Sequence, residues 1–66
     1  MAVYKKIEIV GTSKVSFAEA VKAAVSEAGK SLRQMSWFEV IEQRGSIKDG
    51  KVAEFQVTVA VGFKVE

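Results

Sequence analysis

The dipeptide Asp49-Gly50, between two long stretches of alternating residues, is the feature that most constrains the fold of this chain. Both central residues of a type I′ turn need a positive φ, and Asp-Gly is one of the pairs that favour this turn. The segment KDGK therefore predicts a β-hairpin. Its first strand would run from Trp37 to about Ile47 and its second from Lys51 to about Val65.

The register of this hairpin separates its side chains into two faces. A two-residue loop pairs Lys48 with Lys51, and counting outward sets Val40 opposite Val59, Phe38 opposite Val61 and Trp37 opposite Gly62. We expect the apolar face to be covered by a helix; its members are Phe38, Val40, Phe55, Val57, Val59, Val61 and Phe63. The other face carries Trp37, Glu39, Ile41, Gln43, Gln56, Thr58, Ala60, Gly62 and Lys64.

The N-terminal half predicts a strand followed by a helix. Residues Val3 to Val10 alternate as in a half-buried strand, which Gly11 would end. Ser16 and Glu19 match the S-x-x-E capping box, so a helix should begin near Phe17. Apolar residues then recur in steps of three and four, forming one stripe: Phe17, Val21, Ala24, Val25, Ala28, Leu32 and Met35. The predicted fold is α+β, in the order β-α-β-β, with a three-stranded antiparallel sheet packed on one helix and the last strand in the middle.

The small size of the chain predicts self-association. Sixty-six residues form one domain with a marginal core, and the sequence has no Cys or His for a disulfide or a structural zinc site. The N-terminal residues lack an apolar signal segment and no run of residues is long enough to span a bilayer, so we expect a cytoplasmic protein without a membrane partner. The net charge of +2 is too small to indicate a nucleic-acid partner.

Trp37 lies on the face that the predicted core does not use. Its indole could pack into a subunit interface, or it could stack on a planar ligand or a nucleobase. Gln56 on the same face could be a solvated polar residue or could pair with a planar edge that carries donor and acceptor atoms. The two residues lie ~20 Å apart along the strand, so a site that uses both would need different subunits.

The remaining polar residues do not suggest an enzyme. Arg44 is a surface charge whose donors would also suit a phosphate. The sequence has no nucleophile elbow and no pair of carboxylates placed for acid–base chemistry. A non-enzymatic protein is therefore expected, and the residues alone leave open a ligand-binding protein, a small oligomeric scaffold and a single-stranded nucleic-acid-binding module.

The segments VYKKIEIVGTS, SLRQMSWFEVIEQRG and DGKVAEFQVTVAVGF, in this order, resemble the dodecins over practically the whole chain. Dodecins are small flavin-binding proteins that assemble as hollow dodecamers, in which flavin pairs stack between tryptophans at subunit interfaces. The resemblance implies a homododecamer that binds FMN or riboflavin and serves in flavin storage, buffering and photoprotection.

The resemblance also implies roles for four residues. Trp37 would stack on the flavin ring and Gln56 would pair with its pyrimidine edge. Arg44 would lie near the flavin phosphate, and Lys64 replaces an arginine found in many relatives. Some relatives bind coenzyme A through basic residues of the first strand and helix. Glu27 occupies a position where a basic residue would help, so coenzyme A stays a possible partner that is not carried over to this chain.

Overall fold

The computed structural model describes residues 1–65, which form three strands and one helix: β1 (Tyr4–Ser13), α1 (Phe17–Ala28), β2 (Met35–Lys48) and β3 (Lys51–Lys64). The strands make one antiparallel sheet in the order β1-β3-β2, so the last strand is central, as predicted. Asp49 and Gly50 have φ values of 52° and 75°, which are the positive angles that the predicted hairpin turn requires. Within the described residues, no helix is long and apolar enough to cross a membrane.

The helix begins where the capping motif predicts. The Ser16 hydroxyl accepts the backbone N–H of Glu19 at 3.0 Å. The second half of the capping box is different, because the Glu19 carboxylate pairs with Lys22 at 3.3 Å instead of returning to the cap. The helix ends at Ala28, well before the end of its apolar stripe. Leu32 and Met35 nevertheless pack against the core from the segment that follows.

The sequence suggested that the first strand ends at Gly11, and this is wrong. β1 continues to Ser13, and Gly11 is the point where the helix approaches the sheet most closely. A Cβ atom at Gly11 would collide with the carbonyl oxygen of Ala20 and would lie 2.8 Å from the Cβ of Ala24. The glycine is therefore required for close packing of α1 on β1.

The core is small and lies between α1 and the two strands that it covers. Its fully buried members are Ala20, Val57, Val59 and Val61, with Ala24 at 4% exposure. Twelve helical residues span about 18 Å, whereas the fourteen residues of β3 span about 46 Å. Much of the hairpin thus projects beyond the helix.

The helix does not cover β2, and this corrects the expectation for the apolar face of the hairpin. Phe38 remains 51% exposed and Val40 42% exposed, although both pair with core residues of β3. An apolar groove of about 610 Å³ separates this part of β2 from the helix, where Val21 and Val25 form part of its wall.

Two irregularities shift the hairpin register in its middle section. The pairs Lys48–Lys51, Val40–Val59, Phe38–Val61 and Trp37–Gly62 are confirmed. Register shifts between Val40 and Glu42 and between Ser46 and Ile47 displace the residues that lie between them by one position. Arg44, rather than Gln43, is consequently opposite Gln56, and the predicted placement of Gln43 on the Trp37 face is wrong, since Gln43 is opposite the core residue Val57.

Candidate functional site

The sheet face opposite the helix, called the open face below, carries the four residues that the sequence singled out. On β3 it comprises Gln56, Thr58, Ala60, Gly62 and Lys64, and on β2 it comprises Trp37, Glu39, Glu42 and Arg44. These residues divide into two groups, because Gly62, the partner of Trp37, lies six positions along β3 from Gln56. At ~3.3 Å per residue, this places the two groups ~20 Å apart.

The first group is built around Trp37. The indole lies directly over the backbone of Gly62, where an added Cβ would collide with the Cε2 and Cζ2 atoms of the ring. Tyr4 of β1 supports it from the side, with ring centroids 5.1 Å apart and ring planes inclined at 51°. Trp37 itself remains 42% exposed. Because Gly62 has no side chain, the indole lies flat against the sheet, and much of the ring remains open to solvent.

Charged residues surround this aromatic group. Lys6 of β1, opposite Gly62, makes an ion pair of 3.0 Å with Glu39 of β2. Both side chains are about half exposed, so the pair contributes little to stability. Lys64 lies on the same side of the sheet opposite Tyr4, and its side chain is exposed. Its backbone N–H donates to the Gln34 carbonyl, which ties the end of β3 to the start of β2.

The second group is a row of four polar side chains across the projecting part of the hairpin. Arg44 Nε donates to Gln56 Oε1 at 2.8 Å, and Arg44 Nη1 donates to the carboxylate of Glu42. On the other side, Gln56 Nε2 donates to Glu54 Oε1 at 3.0 Å. The row therefore runs Glu42, Arg44, Gln56, Glu54 and alternates donor and acceptor groups.

The sequence interpretation did not include Glu42, Glu54 and Tyr4 in the site. The two glutamates are each two residues from a predicted site residue on the same strand, and residues two apart on a strand share a face. That spacing was a usable signal. The pairing of Arg44 with Gln56 was not predictable in this way, because it depends on the register shift.

The space beside Trp37 within one protomer is limited. The hollow of about 210 Å³ that Trp37 helps to line opens on the helix side of the sheet, among Val25, Phe38 and Val61, and not over the open face. Ligand pockets usually enclose about 300–1,000 Å³, so a flavin-sized ligand would need walls from elsewhere. Among residues 1–65 no three acidic side chains are grouped in a way that could hold a metal ion.

The chain is similar to proteins of one family. The model of the Dodecin family matches residues 3–66. A dodecin from Thermus thermophilus is 50% identical over 64 residues, covering 97% of this chain and 93% of the relative. The structure of a dodecin from Streptomyces coelicolor has a TM-score of 0.95 with 45% identity, covering 98% of this chain and 93% of that chain. The calcium dodecin of Mycobacterium tuberculosis is 34% identical over 65 residues, covering 98% of this chain and 92% of the relative.

Proposed function

The chain belongs to the dodecin family, and from this membership we propose that it is a non-enzymatic flavin-binding protein. It binds FMN or riboflavin and serves to store the flavin, buffer its concentration and protect the cell from its photochemistry. The ligand occupies sites between subunits of a homo-oligomer, for which we propose a dodecamer.

The arrangement of Trp37 is the observation that carries this proposal. Its indole is held on Gly62 and against Tyr4, so the ring is oriented before a ligand arrives. A pre-oriented aromatic surface loses little conformational entropy when it stacks on a second planar ring. The electron-rich indole face suits the electron-poor flavin ring. Trp37 is 42% exposed, so part of its surface is accessible for such a contact.

The separation between Trp37 and Gln56 supports a site between subunits. One flavin cannot reach both residues of a single protomer across ~20 Å. Gln56 of one subunit pairs with the pyrimidine edge of a flavin that stacks on Trp37 of another. Arg44 lies next to Gln56 and retains three N–H groups beyond the two that it uses here, which are available to the phosphate of FMN. Lys64 adds positive charge at the aromatic end of the open face.

The uncovered part of β2 supports self-association. Phe38, Val40 and Ile41 are 42–51% exposed, and Phe38 lines the apolar groove beside the helix. Exposed apolar patches of this kind mark interaction surfaces. A second copy of the chain is the occupant that also brings the separated halves of the flavin site together.

The photoprotective role follows from contact between the two rings. Excited flavin is a strong oxidant, and an indole in van der Waals contact donates an electron and recovers it before other groups are oxidised. Flavin fluorescence is therefore quenched on binding, and Trp37 is the residue that provides the quenching.

The test is a fluorescence titration of FMN with the purified protein, followed by gel filtration at the flavin absorption band. We expect strong quenching and co-elution of flavin with an oligomer. The variant Trp37→Ala should lose the quenching and weaken binding by about 1–3 kcal/mol, the usual contribution of one stacking platform, while its circular dichroism stays unchanged. Absence of quenching and co-elution in the wild-type protein would refute the proposal. Salt-dependent binding of a labelled single strand by that protein would then favour the nucleic-acid-binding module.

A further inference from the structure

The amide of Gln56 lies between two groups that can each make only one kind of hydrogen bond. The Arg44 guanidinium only donates, and its Nε approaches Oε1 of Gln56 at 2.8 Å. The Glu54 carboxylate only accepts, and Nε2 of Gln56 donates to it at 3.0 Å. A turned amide would place two donors against each other on one side and two acceptors on the other. These neighbours therefore define a single orientation of the amide.

Each atom of the amide keeps one hydrogen-bonding position for a ligand. Oε1 has a second lone pair and Nε2 has a second N–H. A ligand edge that binds both must present an N–H and a carbonyl oxygen side by side, in the order that matches the fixed amide. The pyrimidine edge of a flavin has this pattern, since its N–H lies between two carbonyl groups.

Arg44 and Glu54 differ in how securely they hold the amide. Arg44 is also paired with Glu42, and in the proposed function its remaining N–H groups bind the ligand phosphate, so its guanidinium is shared among three partners. Glu54 is half-buried, two residues from Gln56 on the same strand and face, and makes its contact without a competing cation among the ion pairs of the described residues. Glu54 is thus the neighbour whose contact with Gln56 is not shared with another charged partner among residues 1–65 or with the ligand phosphate.

We infer that Glu54 is a positioning residue of the flavin site: it fixes the orientation of the Gln56 amide and so makes binding selective for a ligand edge with an intact N–H. The inference rests on the proposed function and adds a specificity determinant to that site.

The test compares dissociation constants of FMN and of FMN methylated at the pyrimidine N–H, both from fluorescence quenching. Methylation removes the donor that Oε1 accepts, so the wild-type protein should bind the methylated compound about tenfold more weakly or worse. In Glu54→Ala the amide is free to turn and to donate to a flavin carbonyl, and the ratio of the two constants should fall to about threefold or less. Glu54→Met, which keeps a long side chain without the carboxylate, should behave in the same way even if the alanine variant fails to assemble.

Glu27→Ala is the matched control, because it removes an exposed helical glutamate paired with Lys30 and should leave the ratio unchanged. Equal weakening of both ligands by the Glu54 variants would indicate a purely structural role and overturn the inference. A wild-type protein that binds both compounds equally would also overturn it while leaving flavin binding intact. A wild-type protein that quenches neither compound would refute both this inference and the proposed function.

Discussion

Replacing Gly62 by alanine is the most direct test of how Trp37 is held. The added Cβ would collide with Cε2 and Cζ2 of the indole and would lie 2.6 Å from Cδ2. Carbon atoms in favourable contact are about 3.5–4.0 Å apart, so the ring must move by about 1 Å or more. Forced overpacking of this kind costs about 1–3 kcal/mol of folding free energy. Displacement of the ring should also weaken FMN binding by about tenfold, within the range that one stacking contact contributes.

The single tryptophan provides the assay. Its emission maximum should shift when the ring leaves Gly62, and urea unfolding followed at the same wavelength gives the change in stability. The matched control is Gly29→Ala, which adds the same methyl group where the nearest atom is the flexible end of Met35 at 3.2 Å. That variant should leave the emission and the FMN affinity unchanged.

A double-mutant cycle separates the ring contact from other effects of the methyl group. In the Trp37→Ala background the ring is absent, so Gly62→Ala should cost much less than in the wild-type protein. The coupling free energy should therefore reach about 1 kcal/mol or more, as is usual for residues in direct contact. A Gly62→Ala protein with wild-type emission, stability and FMN affinity would refute the described support of the indole.

Two further predictions concern the surface of β2 and the start of the helix. Phe38→Ala should cost the isolated protomer roughly half of the 3–5 kcal/mol of a fully buried Phe, because the side chain is 51% exposed. Its larger effect should be on assembly, seen as later elution at low concentration in gel filtration; unchanged elution would mean that a second copy does not cover this surface. Ser16→Ala should lower the unfolding free energy by about 1 kcal/mol in urea denaturation, since Glu19 loses its N-cap acceptor. A Ser16→Asp protein should retain the stability, and a loss in both variants would contradict the capping role.

The elements with strong local signals were predictable from the sequence. The Asp49-Gly50 turn, the Ser16 cap and the alternation of β3 each depend on neighbouring residues alone, and the structure confirms all three. The end of the helix was not predictable from its apolar stripe. Leu32 and Met35 continue the stripe because they contact the same core, but they do so from a non-helical segment.

In the candidate site, too, some features were predictable from the sequence and others were not. The location of Trp37 on the open face followed from a register counted out from the turn. The pairing of Arg44 with Gln56 did not, because the shift near Ile41 has no distinctive residue type, and the second shift restores the original count. The exposure of Phe38 could not be predicted by assigning residues to the two faces of the sheet. It depends on how far a twelve-residue helix extends across the sheet.

The two register shifts on either side of Arg44 have a consequence for comparing this chain with its relatives. One shift begins after Val40 and the other reverses it after Ser46, so the pairs from Trp37 to Val40 keep the register set at the turn. A relative of equal length whose first irregularity lay beyond position 43 would align without a gap, yet would place the equivalent of Gln43 opposite the glutamine. Ligand preferences in such proteins are therefore encoded partly in the position of a backbone irregularity, which a letter-by-letter alignment does not display.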